Sequence, residues 1–433
     1  MKEIALIAIQ IIFIIFLFNF SVYEITDRLK IKYLNTLDIM FVNILLLINT
    51  LLFFSLVDIT INYLFFIIMS LTLLGFAKSI KNKKTKFINN KSFIFIIFIL
   101  SWIISIDLAA NIDLGWDAKN YGIFKTLNFY QNNNLSNLTF INNTTEYPHL
   151  GQLLWAFFWK FPLNYNEYFG RISFIVIYLI SIFAFYSNLK IGKINKLIFI
   201  FLTILITYEY HLFNGLSEVL IFSLILMASK FAFLLLFEKN NNNQTKLILY
   251  ILLITNAACW IKNEALIFML IFNFGLLFSD IKYNTKIKLF IGSLLVVFIR
   301  VFFFIYADIE SNPEEFGATL TWENFNFLEK ITDLKLIMFY IIVYMIEIPI
   351  YLLAIPLFFY IFLGENKNYN FNKFLILCII LNFLFIIIAF LFNVENVDFQ
   401  VRNSLKRIMF ETAGFYLMPI LLILNNKKYR YNN

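Results

Sequence analysis

The sequence predicts an all-helical bundle of membrane-spanning segments, and three observations carry this prediction. Hydrophobic residues make up 61% of the 433 and charged residues only 14%, which leaves too little polar surface to cover a soluble globule. The mean hydropathy of +0.79 arises from apolar runs long enough to cross a bilayer. The net charge of +8 lies mostly in short loops, as in proteins oriented by the positive-inside rule. A single integral membrane domain over 1–433 follows.

Taken in order, the apolar runs predict about thirteen spans. The first of them, 4–20, lacks a basic start and a small-residue cleavage signal, so we interpret it as a retained span. Further runs lie at 37–57, 60–77, 93–106, 172–187, 217–237, 265–279 and 336–362. The lysines from Lys78 to Lys91 mark the cytoplasmic side. Alternation from there places a first large loop at 107–170 and a second at 307–335 on the outer side.

The first outer loop contains two helix-like segments. Between 120 and 131 aromatic and apolar residues recur every three positions, while Lys125 and Asn128 lie on the opposite face, which is typical of a helix on the membrane surface. The second segment, 148–161, is shorter than the roughly 20 residues that a span needs, so we expect it in the interface with its two tryptophans at headgroup level. A tilted or re-entrant span is the alternative.

The sequence excludes several classes of function. Cys259 and Cys378 lie within apolar runs, far apart, and are interpreted as small core residues. The chain contains no zinc-protease, Walker or dinucleotide-binding pattern, which argues against a zinc hydrolase or a nucleotide-driven pump. The basic charge fits membrane orientation better than nucleic-acid binding. No cofactor and no metal are predicted.

Ionisable residues recur near the outer ends of several predicted helices. Such groups are costly at a membrane boundary unless they are paired or functional. They are Asp113, Asp117, Glu146, His149, Glu209, His211, Glu218, Lys262, Glu264, Arg402, Lys406 and Arg407. Their convergence on one side indicates a pocket open to the outer leaflet, in which carboxylates take up a proton and cations bind a phosphate.

Four segments carry a resemblance to a known family. They are GWDAKNYGIFKTLNFY at 115–130, EYPHLGQLLWA at 146–156, WIKNEALIF at 260–268 and NSLKRIMFETAGFYLMP at 403–419. Together they resemble membrane glycosyltransferases of the GT-C superfamily, and in particular the bacterial relatives of protein mannosyltransferases that use polyprenyl-phosphate sugars. The chain departs from the family pattern at Ala265, where relatives have glycine, and at Ala118, where many have a second acidic residue. The second departure weakens any expectation of a bound divalent metal.

The resemblance implies inverting transfer of a sugar from a polyprenyl-phosphate donor, at the periplasmic side of a bacterial inner membrane. The partners would be that donor, membrane lipids, and an acceptor glycan, lipid or protein. Asp117 matches the acidic position and is the expected base, with Asp113 as the second candidate. The expected phosphate-binding cations are Arg407, which matches the late arginine, and Arg402, Lys406, Lys262 and Lys125. The residues expected to position substrate are Glu146, Tyr147, His149, Glu218 and Glu264.

Ordinary structural roles compete with these assignments. Asp117 is also a suitable helix cap, and the basic cluster around Arg407 a suitable headgroup anchor. Two other functions remain open: a transporter or flippase of lipid-linked sugars, and a polymerase or ligase of surface polysaccharide. A transporter favours charges near the bilayer midplane and paired repeats, whereas the charges here cluster at one surface. A polymerase favours a late basic loop, whereas 307–335 is acidic.

Overall fold

The fold is built almost wholly from helices. The computed structural model describes residues 2–31, 33–81, 91–132, 148–161, 165–208, 212–306, 327–363, 369–392 and 397–429. The helices are α1 (Lys2–Phe20), α2 (Tyr23–Leu29), α3 (Thr36–Leu56), α4 (Ile61–Lys81), α5 (Lys91–Ala110), α6 (Ile123–Tyr130), α7 (Leu150–Trp159), α8 (Tyr168–Ser187), α9 (Lys193–Thr207), α10 (Glu218–Leu236), α11 (Asn241–Ile261), α12 (Asn263–Leu277), α13 (Tyr283–Tyr306), α14 (Phe327–Glu347), α15 (Pro349–Leu363), α16 (Tyr369–Leu391), α17 (Val397–Gln400), α18 (Lys406–Ala413) and α19 (Met418–Tyr429). No strand occurs within these ranges, which confirms the all-helical class.

Fewer helices in the described part of the chain are long and apolar enough to span than the sequence predicts. Ten of the described helical segments are long and apolar enough to cross a membrane, or eleven if one bent pair counts as a span. Helices α9 and α12 have 15 residues each, short of the roughly 20 that a perpendicular span requires. The described part of the chain therefore has the helices of a multi-pass membrane protein, and the predicted count of about thirteen spans stays a prediction.

The predicted run 336–362 is not one straight helix. Its first helix, α14, already begins at Phe327, so the last part of the predicted second outer loop, 327–335, is helical. The stretches Glu329–Glu347 and Pro349–Leu363 are bent by 91° relative to each other. Pro349 accounts for the break, because proline restricts the residue before it and clashes with the preceding helical turn.

Two central helices form the core. Every residue of α8 is buried, and α10 is buried over nearly all its length, as expected for helices that are apolar on all sides. A charged side chain lies within this core: Lys230 of α10 forms an ion pair with Asp38, at 2.5 Å. Asp38 also belongs to the capping box that starts α3, in which its carboxylate accepts a hydrogen bond from the Asn35 amide. The pair therefore joins the middle of the core to the end of a neighbouring helix.

Alternation from Lys78–Lys91 also places the loops around 28–35, 188 and 246 on the cytoplasmic side, and these loops contact one another. The Lys246 ammonium donates to the backbone carbonyls of Arg28 and Lys30. The Asn35 side chain donates to Asn188 at 2.6 Å. These contacts support the predicted alternation of the helices.

The loops at the opposite end are joined by Arg171, in the first turn of α8. Its guanidinium is completely buried and donates to the backbone carbonyls of Asp113, at 2.9 Å, and Phe213, at 3.0 Å. The Gly115 amide donates to the Asn214 carbonyl at 2.9 Å. The segment after α5 is thereby fixed against the segment before α10.

The two helices of the first outer loop, α6 and α7, pack against other helices of the protein more than the prediction of surface helices implies. Ten residues of α7 extend about 15 Å, too little to cross a hydrocarbon core of about 30 Å. Trp155 and Trp159 are 0% and 7% exposed, because α7 packs within the protein, beside α6 and α8. The two indoles therefore contact protein, and their depth at headgroup level stays a prediction. In α6 the polar residues Lys125 and Asn128 are buried and Phe124 is exposed. The polar face of this helix therefore faces protein.

Candidate functional site

Asp117 and Arg407 lie side by side at one end of the bundle, although 115–130 and 403–419 are far apart in the chain. The guanidinium contacts the Asp117 carboxylate at 2.6 Å. The two side chains are 38% and 35% exposed, so the pair lies at an accessible edge. Here the structure brings together the expected base and the expected late arginine.

A buried network continues inward from this pair. Arg407 also contacts the Glu218 carboxylate at 2.9 Å. The same Glu218 oxygen accepts a hydrogen bond from Lys262 at 2.9 Å, and Lys262 donates to Glu411 at 2.6 Å. The Glu411 side chain is only 2% exposed and that of Glu218 8%. We call these five residues, Asp117, Glu218, Lys262, Arg407 and Glu411, the charged cluster.

The helices dictate where these side chains lie. Glu218 is the first residue of α10, where the positive end of the helix dipole favours a carboxylate. Lys262 has an extended backbone and is the only residue between α11 and α12, so it lies at the tip of a helical hairpin. Arg407 and Glu411 are four residues apart on α18 and therefore share one helix face.

Both members of the accessible pair adjoin irregular helical turns. A π-helical turn covers Ala118–Gly122, directly after Asp117, and another covers Val401–Leu405, just before Arg407. Such turns are rare and often occur at functional sites. Their position on both sides of one ion pair is an independent reason to treat that pair as functional.

The carboxylates keep Lys262 charged. Burial alone would lower the pKa of Lys262, but the neighbouring Glu218 and Glu411 outweigh burial and raise that pKa. Glu264, in the first turn of α12, acts in the same direction. Lys262 is therefore a fixed positive charge at neutral pH, and its ordinary role is to hold two buried carboxylates together.

Other predicted residues lie outside the charged cluster. Asp113 is exposed and lines a small surface cleft with Asp107, Asn111 and Tyr208. The two cations beside Arg407 point elsewhere. Arg402 pairs with Asp398 at 2.9 Å, and Lys406 with Glu347 at 3.2 Å, all four side chains being substantially exposed.

His149 and Lys125 lie in a separate buried region. His149 is 3% exposed and its ring lies 5.6 Å from that of Trp260. Burial lowers the pKa of His149 well below its usual range, and the charges of Lys125 and Arg300 lower it further. The imidazole is therefore neutral at pH 7. Glu146, Tyr147, Glu209 and His211 fall outside the described residues.

Glu411, Arg300 and Arg171 are buried charged residues that sequence reasoning missed. Glu411 could have been found from its spacing of four from Arg407 on a predicted helix. Arg300 is the one charged residue in the apolar stretch 289–306, a recognised sign of function in a membrane segment. Arg171 forms an ion pair with Glu167, at 2.5 Å, and their spacing of four is the same kind of signal. Its bonds to the backbone carbonyls of Asp113 and Phe213 are brought about only by the fold.

The fold and the charged cluster define a multi-pass helical membrane protein with a mixed-charge site at one end of its bundle. Comparison of the chain with protein-family models, curated proteins and solved structures gave no match. Within the described ranges, no three side chains of histidine, cysteine, aspartate or glutamate are grouped closely enough to hold a metal ion. The function has to be argued from the site itself.

Proposed function

We propose that this protein is an inverting glycosyltransferase that moves a sugar from a polyprenyl-phosphate donor to an acceptor at the periplasmic side of the membrane. The observation that carries the proposal is the Asp117–Arg407 pair, which combines a carboxylate and a cation at an accessible edge. The motif resemblance independently implies the same two residues. Two segments that are distant in the sequence, and to which the resemblance assigns parts of the same reaction, are therefore in contact.

The reaction needs a proton acceptor and a cation. The acceptor hydroxyl or amine attacks the anomeric carbon, and the bond from that carbon to the phosphate oxygen breaks with its electron pair going to the phosphate. The attacking group loses its proton to a carboxylate within hydrogen-bond reach, and that carboxylate is Asp117. Positive charge in the site stabilises the departing phosphate.

Arg407 has a second role in this scheme. Its guanidinium bonds to both Asp117 and Glu218, so it orients the base and links it to the buried network. Asp117 has to exchange this contact, in part, for the proton of the incoming acceptor. A pair at the accessible edge makes that exchange possible, whereas the buried Glu411 is less suited to meet an acceptor.

The test is mass spectrometry of the host's lipid A, surface glycans and exported glycoproteins with and without this gene. We expect one sugar to be lost in the deletion and restored by the wild-type copy but not by Asp117→Asn. Asp58→Asn, an equally conservative change in the loop between α3 and α4, is the matched control and should restore the sugar. Unchanged glycans, together with flux of a lipid-linked sugar in reconstituted vesicles, would favour the transporter instead.

A further inference from the structure

Two buried side-chain nitrogens beside the charged cluster have no hydrogen-bond partner among the described residues. His149 Nε2 and Trp260 Nε1 make no hydrogen bond to any residue that the structure describes. Their residues are 3% and 1% exposed. Native proteins pair nearly all such buried atoms, because an unsatisfied one costs about 1–3 kcal/mol. The two rings lie 5.6 Å apart, so a single bound group can satisfy both.

The surroundings of these two side chains favour a negative charge. His149 directly precedes α7, and it makes no side-chain cap bond to the free amides of the first turn. Those amides and the helix dipole together attract anions. Arg300 is 6% exposed and donates to the Cys259 carbonyl at 2.6 Å and to the side-chain oxygen of Asn263. Neither partner is charged, and a guanidinium has five N–H donors.

The charged cluster is a poorer anion site. Its two cations, Lys262 and Arg407, are already held by three carboxylates, those of Asp117, Glu218 and Glu411. A phosphate that approached Lys262 or Arg407 would meet this negative charge and would have to displace a carboxylate. The balance of charge therefore favours the start of α7 over the cluster for an anionic ligand.

The two regions are adjacent. Gly151, in the first turn of α7, packs so closely that a methyl group in place of its hydrogen would lie 2.5 Å from the Ser217 hydroxyl and 4.0 Å from Ile261. Ser217 precedes Glu218, and Ile261 precedes Lys262. A ligand at the start of α7 therefore lies next to the charged cluster.

We propose that the start of α7, together with His149, Trp260 and Arg300, binds the phosphate of the lipid-linked donor, while the Asp117 edge of the charged cluster receives the acceptor. This inference rests on the proposed function, and it moves the phosphate away from Arg407, to which the resemblance assigns it. The Trp260 indole, the α7 amides and those N–H groups of Arg300 that bond to no described residue donate to the phosphate oxygens. Lys125, which is 8% exposed, adds positive charge nearby.

The test measures binding of farnesyl monophosphate to the purified full-length protein in an uncharged detergent. Trp260→Phe keeps the ring but removes the Nε1 donor, and we expect it to weaken binding about tenfold, the worth of one charge-assisted hydrogen bond. The thermal midpoint without ligand should stay unchanged, because this donor has no described partner to lose. A purely structural role would instead lower the midpoint and leave the dissociation constant alone.

Arg300→Gln should weaken binding at least as much. The matched controls are Trp102→Phe, in α5, whose indole donates to the Ile4 carbonyl, and Arg28→Gln, in α2, near the opposite end of the bundle. Both controls should bind farnesyl monophosphate like the wild type. Wild-type affinity in both Trp260→Phe and Arg300→Gln overturns the proposal.

Two further measurements distinguish a lipid-linked donor from a phospholipid as the ligand, and failure of the phosphate site from failure of the proposed function. Dipalmitoyl phosphatidate carries the same headgroup chemistry, and tighter binding of it than of farnesyl monophosphate would identify a phospholipid site and overturn the donor assignment. Asp117→Asn should bind farnesyl monophosphate normally. If the binding losses occur as expected but no glycan depends on the gene, the phosphate site is supported while the transferase function fails.

Discussion

Replacing Lys262 by methionine tests the charged cluster most directly. The Lys262 ammonium bonds to Glu218 at 2.9 Å and to Glu411 at 2.6 Å, and its side chain is 15% exposed. Methionine has a similar length but no charge. After the change Glu218 still has Arg407 at 2.9 Å, so Glu411 is the carboxylate that loses its ion-pair partner.

The expected cost follows from that burial. Breaking a buried ion pair by removing one partner costs about 3–5 kcal/mol. We expect about 3 kcal/mol here, because a stranded carboxyl group takes up a proton instead of remaining charged. Glu411→Gln in the Lys262→Met background removes the stranded acid and should recover at least about 1 kcal/mol, the size of coupling found between directly contacting residues.

The assay is unfolding of the purified protein by sodium dodecyl sulfate, followed by tryptophan fluorescence. Lys330→Met is the matched control: its partner Asp333 lies at 3.2 Å on the same helix and both side chains are partly exposed, so less than about 1 kcal/mol is expected. The reasoning fails if Lys262→Met costs no more than this control. It fails equally if Glu411→Gln adds to the loss instead of reversing it.

Three further predictions concern the segments around the site. Gly215 has a φ of +88°, so Gly215→Ala should lower the free energy of unfolding by about 1–2 kcal/mol in the same assay. At Gly192 an added methyl group meets no atom within 4 Å, so Gly192→Ala should leave stability unchanged. Equal effects of the two changes would contradict this prediction. Burial and nearby cations hold the pKa of His149 low, so the unfolded chain binds one more proton than the folded protein at acidic pH. The free energy of unfolding therefore falls as pH drops below about 6.5, by at most about 1.4 kcal/mol per pH unit. His149→Phe should reduce this dependence between pH 7.5 and 5, and an unchanged dependence in the variant would contradict the prediction. Arg171→Met leaves buried carbonyls without their donor and should lower the free energy of unfolding by about 3 kcal/mol or more. Sugar transfer should also be lost in the glycan assay. Wild-type stability of this variant would show that Arg171 does not fix the Asp117 segment.

The helical class and many of the helices could be predicted from the sequence, because a long apolar run in a chain of this composition has few other solutions. The run 217–237 matches α10, and 37–57 matches α3, to within about one residue. The break before Pro349 could not be read from hydropathy, since an apolar run continues through a bend as readily as through a straight helix. The burial of α7 depends on neighbours that are distant in sequence.

The candidate site was predictable where its residues belong to recognisable segments. Asp117, Glu218, Lys262 and Arg407 were each expected on the outer side, and the structure brings them into contact. The pairing of Lys262 with Glu411 was not foreseeable, because it depends on how α18 lies against the α11–α12 hairpin. Arg402 and Lys406 illustrate the opposite case: they neighbour Arg407 in sequence, but helical periodicity turns them toward Asp398 and Glu347.

Close packing of helices sets the position of the buried part of the cluster. Gly414 follows α18, and a methyl group in place of its hydrogen would lie 2.9 Å from backbone atoms of Phe222 and Leu226 in α10. Only glycine allows so close an approach, which brings Arg407 and Glu411 to the first turn of α10. Sites supported by packed helices hold their geometry better than sites on loops.

Asp117 is the exception within the cluster, because its segment is held by loop contacts through Gly115 and Arg171. The buried network thus provides a fixed electrostatic frame, and the expected base joins it through Arg407 alone among the contacts described. A change that releases the loop, such as Arg171→Met, should therefore displace Asp117 while the bonds of Lys262 to Glu218 and Glu411 persist. Arg171→Met therefore tests the position of Asp117, whereas Lys262→Met tests the buried ion pairs to which Arg407 connects it.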